Sequence, residues 1–172
     1  MWVELTAAAL SALALILQPN LHGVALAAFW LLLLAPAVLD ARHLWLPNRL
    51  TILLAAAGLL LGNFVSGETL PDRVLGGVAG FGSLWLIARA YRGLLGREGL
   101  GAGDPKFLGA IGLWTGWQAI PLIVLLAAIA GIAVAIVQRR SPADRVPFGT
   151  LLAFGAMIWT GAFAAFGPQQ IF

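Results

Sequence analysis

The sequence predicts an all-α, polytopic membrane protein of about six to seven transmembrane helices, and three observations predict it. Of 172 residues, 61% are hydrophobic and 10% are charged, with a mean hydropathy of +0.96. Soluble domains carry about 25% charged residues. The apolar residues fall into seven segments, at about 3–18, 22–39, 50–65, 74–92, 106–117, 119–138 and 147–166. Strand-type alternation is missing, so helices are the remaining way to cross a bilayer. Nine of the ten Lys and Arg residues fall in alternate loops, the asymmetry that orients helices with basic loops inside.

Taken in order, the first segment follows Met1-Trp2-Val3-Glu4, which has an acid where a secretory signal has basic residues. It reads as a retained first helix over 5–17. The second ends near Asp40, and Asn48 after Pro47 is placed to cap the third. Gly76-x-x-x-Gly80 in the fourth and Gly112-x-x-x-Gly116 in the fifth suit close helix packing. The fifth is short. From Pro105 to Trp117 it spans about 20 Å at 1.5 Å per residue, against a bilayer core of about 30 Å. Trp2, Trp45, Trp114, Trp117 and Trp159 sit near segment ends, as interface anchors do.

Arg42 and Arg49, then Arg89, Arg92, Arg97 and Lys106, then Arg139, Arg140 and Arg145, all fall on one side; Arg73 alone falls on the other. Seven crossings with those loops in the cytoplasm put the N-terminus inside. The net charge of +3 is accounted for by these loops, not by a nucleic-acid partner. Residues 1–172 read as one domain. With no cysteine and two histidines, neither thiol chemistry nor a metal site is expected, and no cofactor is implied.

In so apolar a chain Asp40 and Asp104 stand out. An acid at membrane depth costs roughly 2.5–3.5 kcal/mol on insertion scales and marks function by default. Each also has a plain structural reading. Asp40 can be an acid at a helix end paired with Arg42 or Arg49, and Asp104 before Pro105 can be a helix N-cap after the glycine-rich 99–103 loop. His43, in the loop after Asp40, is of a type that serves in catalysis or metal binding, but a lone interfacial histidine more often does neither. The predicted topology puts both acids at the cytoplasmic ends of their segments, at one membrane level. A proton relay or ion-coupled transporter would instead hold its acids near the midplane, at broken helices.

Three runs carry a resemblance. They are Asp40-x-Arg42-x-x-x-Leu46-Pro47-Asn48, then Gly101-Ala102-Gly103-Asp104-x-Lys106, then Pro147-Phe148-Gly149. Together, over about 22–166, they resemble the type IV prepilin peptidase family of membrane aspartyl proteases with a Gly-x-Gly-Asp signature. The resemblance implies Asp40 and Asp104 as the catalytic pair. It makes Arg42, Pro47, Asn48, Gly101, Gly103, Lys106, Pro147, Phe148 and Gly149 supporting residues. The implied activity is removal of a short basic leader, after a glycine, from type IV prepilins or pseudopilins at the cytoplasmic face of a bacterial inner membrane. Long members carry a cysteine-bearing insert linked to N-methylation; without cysteine, methyl transfer is not expected of this chain. Two carboxylates sharing one site share a proton. Asp40 at a helix C-terminus and Asp104 at a helix N-terminus predict, from the helix dipoles, that Asp104 is the ionised member.

Overall fold

The computed structural model describes residues 2–96, 100–138 and 146–167. They form helices α1 (Trp2–Leu17), α2 (Leu21–His43), α3 (Asn48–Leu61), α4 (Asn63–Ser66), α5 (Leu70–Leu95), α6 (Asp104–Thr115), α7 (Ile120–Val137) and α8 (Phe148–Phe166). No strand occurs among the described residues. The protein is an all-α polytopic membrane protein. Four helices, α2, α5, α7 and α8, are long and apolar enough to cross a membrane, and α1 and α3 are shorter and apolar. Each of the seven predicted segments is a helix, the third broken in two at Gly62. Arg97, Glu98, Gly99, Arg139, Arg140 and Arg145 lie outside the described residues.

Local chemistry sets the helix ends. Asn20 caps α2 by accepting from the backbone N–H groups of His22 (3.0 Å) and Gly23 (3.4 Å), and Thr69 caps α5 by accepting from Asp72 N–H. α2 runs on through Arg42 and His43, further than the sequence suggested, so Asp40 lies in its last turn. Leu44 then stops it in the left-handed region, at φ 52°. That conformation costs an L-residue about 1–2 kcal/mol, and Leu44 is the one non-glycine residue to adopt it among those described.

α6 is the centre of the bundle. Ten of its twelve residues are buried, though at 1.5 Å per residue it is only about 18 Å long. Its most extensive contact is with α5, and the two glycine pairs make it possible. A Cβ at Gly112 would lie 2.2 Å from the Gly76 carbonyl oxygen, and one at Gly80 would lie 2.7 Å from that of Leu108. Trp114 is fully buried, stacks on Phe29 at 4.8 Å and donates its indole N–H to Leu54 O at 2.8 Å. It is therefore a core residue tying α6 to α3, not an interface anchor. Trp2, Trp45 and Trp117 are exposed. Trp30 of α2 similarly donates to Thr160 Oγ1 of α8 at 2.9 Å. Arg73, the one basic residue expected on the far side, is buried. Its Nη1 donates at 2.7 Å to Gly58 O near the C-terminus of α3, where a cation meets the negative end of the helix dipole. Large apolar side chains point outward instead, among them Leu125, Ile129, Ile132 and Ile136 along α7, as a lipid-facing surface requires.

Candidate active site

Asp40 and Asp104 line one cavity of about 360 Å³. Its walls are the last turn of α2, the 44–48 connection to α3, the 100–104 loop with the start of α6, and Val146 and Phe148 at the start of α8. The three sequence runs thus converge on one pocket. Both carboxylates are buried, at 5% and 4% exposure, and neither is mid-helix: Asp40 is in the last turn of α2, and Asp104 is the first residue of α6.

Leu46 joins the three segments. It is buried, and a Cβ at Gly103 would lie 2.8 Å from its Cβ, while one at Gly149 would lie 2.8 Å from its Cδ1. The glycines of the second and third runs are therefore the surfaces on which the leucine of the first is seated. Gly149 also faces the acid directly, since a Cβ there would lie 3.1 Å from Asp40 Oδ2.

Each acid has its own donors. Asp40 Oδ2 accepts from the Thr150 backbone N–H at 2.7 Å and lies 3.1 Å from Thr150 Oγ1. Thr150 is in the first turn of α8, whose N-cap is Pro147 with no side-chain capping bond. Asp40 supplies the missing acceptor from another helix, at the positive end of the α8 dipole. Arg42 is exposed and is not among Asp40's hydrogen-bond partners; Thr150 takes the place expected of it.

Asp104 does not cap α6, whose N-cap is Gly103. Its carboxylate turns back into the loop and accepts from Gly101 N–H at 2.9 Å. A Cβ at Gly101 would lie 3.1 Å from Asp104 Oδ2, so the glycine lets the loop wrap this closely. Asp104 lies outside the four helices long enough to span, at the loop end of α6. Burial first, and the neighbouring Asp40 carboxylate second, push its carboxyl up to about 7, and the opposing pull of the Gly101 N–H is smaller. The structure thus favours the protonated form of Asp104. This reverses the expectation from the helix dipoles, which took account of each acid's own helix and not of α8 meeting Asp40.

One supporting residue also sits otherwise than predicted. Asn48 is the first residue of α3, not its cap, which is Pro47. Its Oδ1 accepts from Lys106 Nζ at 3.2 Å, so Lys106 reaches Asn48 rather than turning to Asp104. His43 is exposed at the end of α2. Among the described residues no three His, Asp or Glu side chains come together as metal ligands. An apolar groove of about 740 Å³ between α3, α5 and α6 starts at Asn48 and Lys106, which it shares with the pocket.

Comparison with known proteins places the first two runs within a family match. The model of the type IV leader peptidase family matches residues 25–136, which include Asp40 and Asp104. The chain belongs to the type IV leader peptidase family. It is 42% identical over 160 residues to a prepilin leader peptidase/N-methyltransferase of Burkholderia pseudomallei, covering 89% of this chain and 51% of that one. It is 38% identical over 168 residues to one of Aeromonas hydrophila, covering 91% and 57%. Against one of Escherichia coli K12 it is 39% identical over 143 residues, covering 81% and 64%. The chain thus spans roughly half to two thirds of the length of these curated relatives. No solved structure matches it. For this leader peptidase family member, the sequence did not single out Thr150, and it placed Leu46 in the first run without giving it a role.

Proposed function

We propose that this chain is a membrane aspartic endopeptidase that removes the short basic leader of type IV prepilins or pseudopilins, after a glycine, at the cytoplasmic face of a bacterial inner membrane. The observation that carries the reading is the meeting of Asp40 and Asp104, from distant parts of the chain, in one cavity. Family membership and the names of the curated relatives support the substrate class. The proposed catalytic unit is a single transmembrane aspartyl protease domain over residues 1–172. Methyl transfer, which the relatives' names also carry, is not part of the proposal.

The chemistry follows from the donors. Asp40, ionised at the N-terminus of α8, takes a proton from a water as it attacks the scissile carbonyl. Asp104 gives its proton to the carbonyl oxygen, leaving a neutral diol. Collapse returns a proton to Asp104 from the diol and delivers the proton on Asp40 to the departing nitrogen, so the pair ends as it began. A basic leader lies in the open pocket outside the bilayer. The apolar helix that follows the cut leaves past Asn48 and Lys106 along the α3–α5–α6 groove.

The test is mass spectrometry of a prepilin-like peptide incubated with the purified chain in detergent. A single cut on the C-terminal side of the leader glycine is expected. Absence of product, or cutting unrelated to that glycine, contradicts the reading.

A further inference from the structure

We propose that Thr150 is a positioning residue for the reaction, one whose hydroxyl holds Asp40 in place in both of its protonation states. The inference rests on the peptidase reading of the site. Thr150 offers Asp40 two different groups. Its backbone N–H, 2.7 Å from Oδ2, can only donate. Its hydroxyl lies 3.1 Å from the same Oδ2 and 2.8 Å from the carbonyl oxygen of Ala37, one turn earlier on Asp40's own helix.

A hydroxyl has one proton to give and two lone pairs to receive with. Here it has two acceptors within reach. With Asp40 ionised, the proton points to Oδ2. With Asp40 protonated on Oδ2, it turns to Ala37 O, and the hydroxyl oxygen accepts from the acid. The two states differ by rotation about the single Cβ–Oγ1 bond, and no heavy atom has to move. The reaction demands both states, because Asp40 gains a proton from water and later gives it up. A group that could only donate favours the ionised state, and loses much of its bond when the proton comes to sit on the oxygen that it faces. The bond to Ala37 O also keeps Thr150 tied to α2 in either state, so the N-terminus of α8 and the acid that it meets remain in register.

The variants separate this from a packing role. Thr150→Val keeps the β-branched shape and the backbone N–H and loses the hydroxyl; Thr150→Ser keeps the hydroxyl and loses the methyl. Steady-state cleavage of a prepilin-like peptide by the purified full chain reads both. For Thr150→Val, kcat is expected to fall about ten- to hundredfold, as for loss of a hydrogen bond to a charged group. KM should stay within about threefold, and Thr150→Ser should keep kcat within about threefold of wild type. Should Thr150→Val fail to accumulate, Thr150→Ala removes the same hydroxyl and carries the same expectation. Wild-type kcat in the hydroxyl-free variant, a Ser variant as impaired as Val, or a loss confined to KM would each overturn the inference while leaving the peptidase reading intact. A wild-type chain that cleaves nothing overturns that reading, and this inference with it.

Discussion

Gly149 marks how little space is left around Asp40. A Cβ there would lie 3.1 Å from Oδ2 and 2.8 Å from Leu46 Cδ1, so Gly149→Ala must displace the acid, the leucine or the start of α8. Misplacement of a reacting group by about 1 Å can cost on the order of a hundredfold in rate. A fall in cleavage of about ten- to hundredfold is therefore expected, with the protein still accumulating in membranes, as measured by peptide assay beside an immunoblot. Unchanged cleavage would show that the site tolerates the methyl and that the contact is slack. The two acids line one cavity, and that they lie at one level was legible, because the predicted topology ends both segments on the same side. Their partners were not. Thr150 is 110 residues from Asp40, and a threonine in the first turn of a helix carries no mark of what meets it from another helix. Asp104 was misread as a cap because capping rules look forward into the helix, whereas the glycine loop brings its own N–H back to the carboxylate.

Among the elements, α6 depends most on close approach. Gly112→Ala would place a Cβ 2.2 Å from the Gly76 carbonyl oxygen, a contact between two backbones that no rotamer relieves. A loss of about 1–3 kcal/mol or more is expected for overpacking of this kind, read as a lower thermal midpoint of the detergent-solubilised protein. Gly82, on the same α5 helix, has nothing within 4 Å of its absent Cβ. Gly82→Ala is expected to be neutral or to stabilise by up to about 1 kcal/mol through helix propensity. Equal midpoints for the two variants would contradict the assigned α5–α6 packing. The helices were legible because bilayer solvation writes each as an apolar run. The glycine pairs marked two helices suited to close packing, for the same steric reason that operates in the structure, but not that each is the other's partner. The side of a helix that becomes core was less legible. Trp114 has the sequence signature of an interface anchor, and only the approach of α2 and α3 makes it the largest fully buried side chain.

At the scale of the whole molecule, the distribution of basic residues predicts the orientation of the bundle, and the absence of cysteine makes that orientation measurable, since any cysteine introduced is the only thiol in this sequence. His43 and Asn63 are exposed at opposite ends of the α2–α4 region. With a membrane-impermeant maleimide on intact cells, Asn63→Cys is expected to label and His43→Cys to label only after the membrane is opened. The reverse pattern would place the pocket on the outer face and contradict a cytoplasmic active site. The central claim is that Asp40 and Asp104 act together as one hydrolytic pair, and it is tested most directly by prepilin cleavage in membranes containing Asp40→Asn or Asp104→Asn, each compared with wild type at equal abundance. Each substitution alone is expected to lower cleavage by about a thousandfold or more, as for a residue acting within a catalytic unit, with insertion unchanged. Retention of more than about a tenth of wild-type activity by either variant, a loss of under 1.4 kcal/mol in transition-state stabilisation, would contradict the pair.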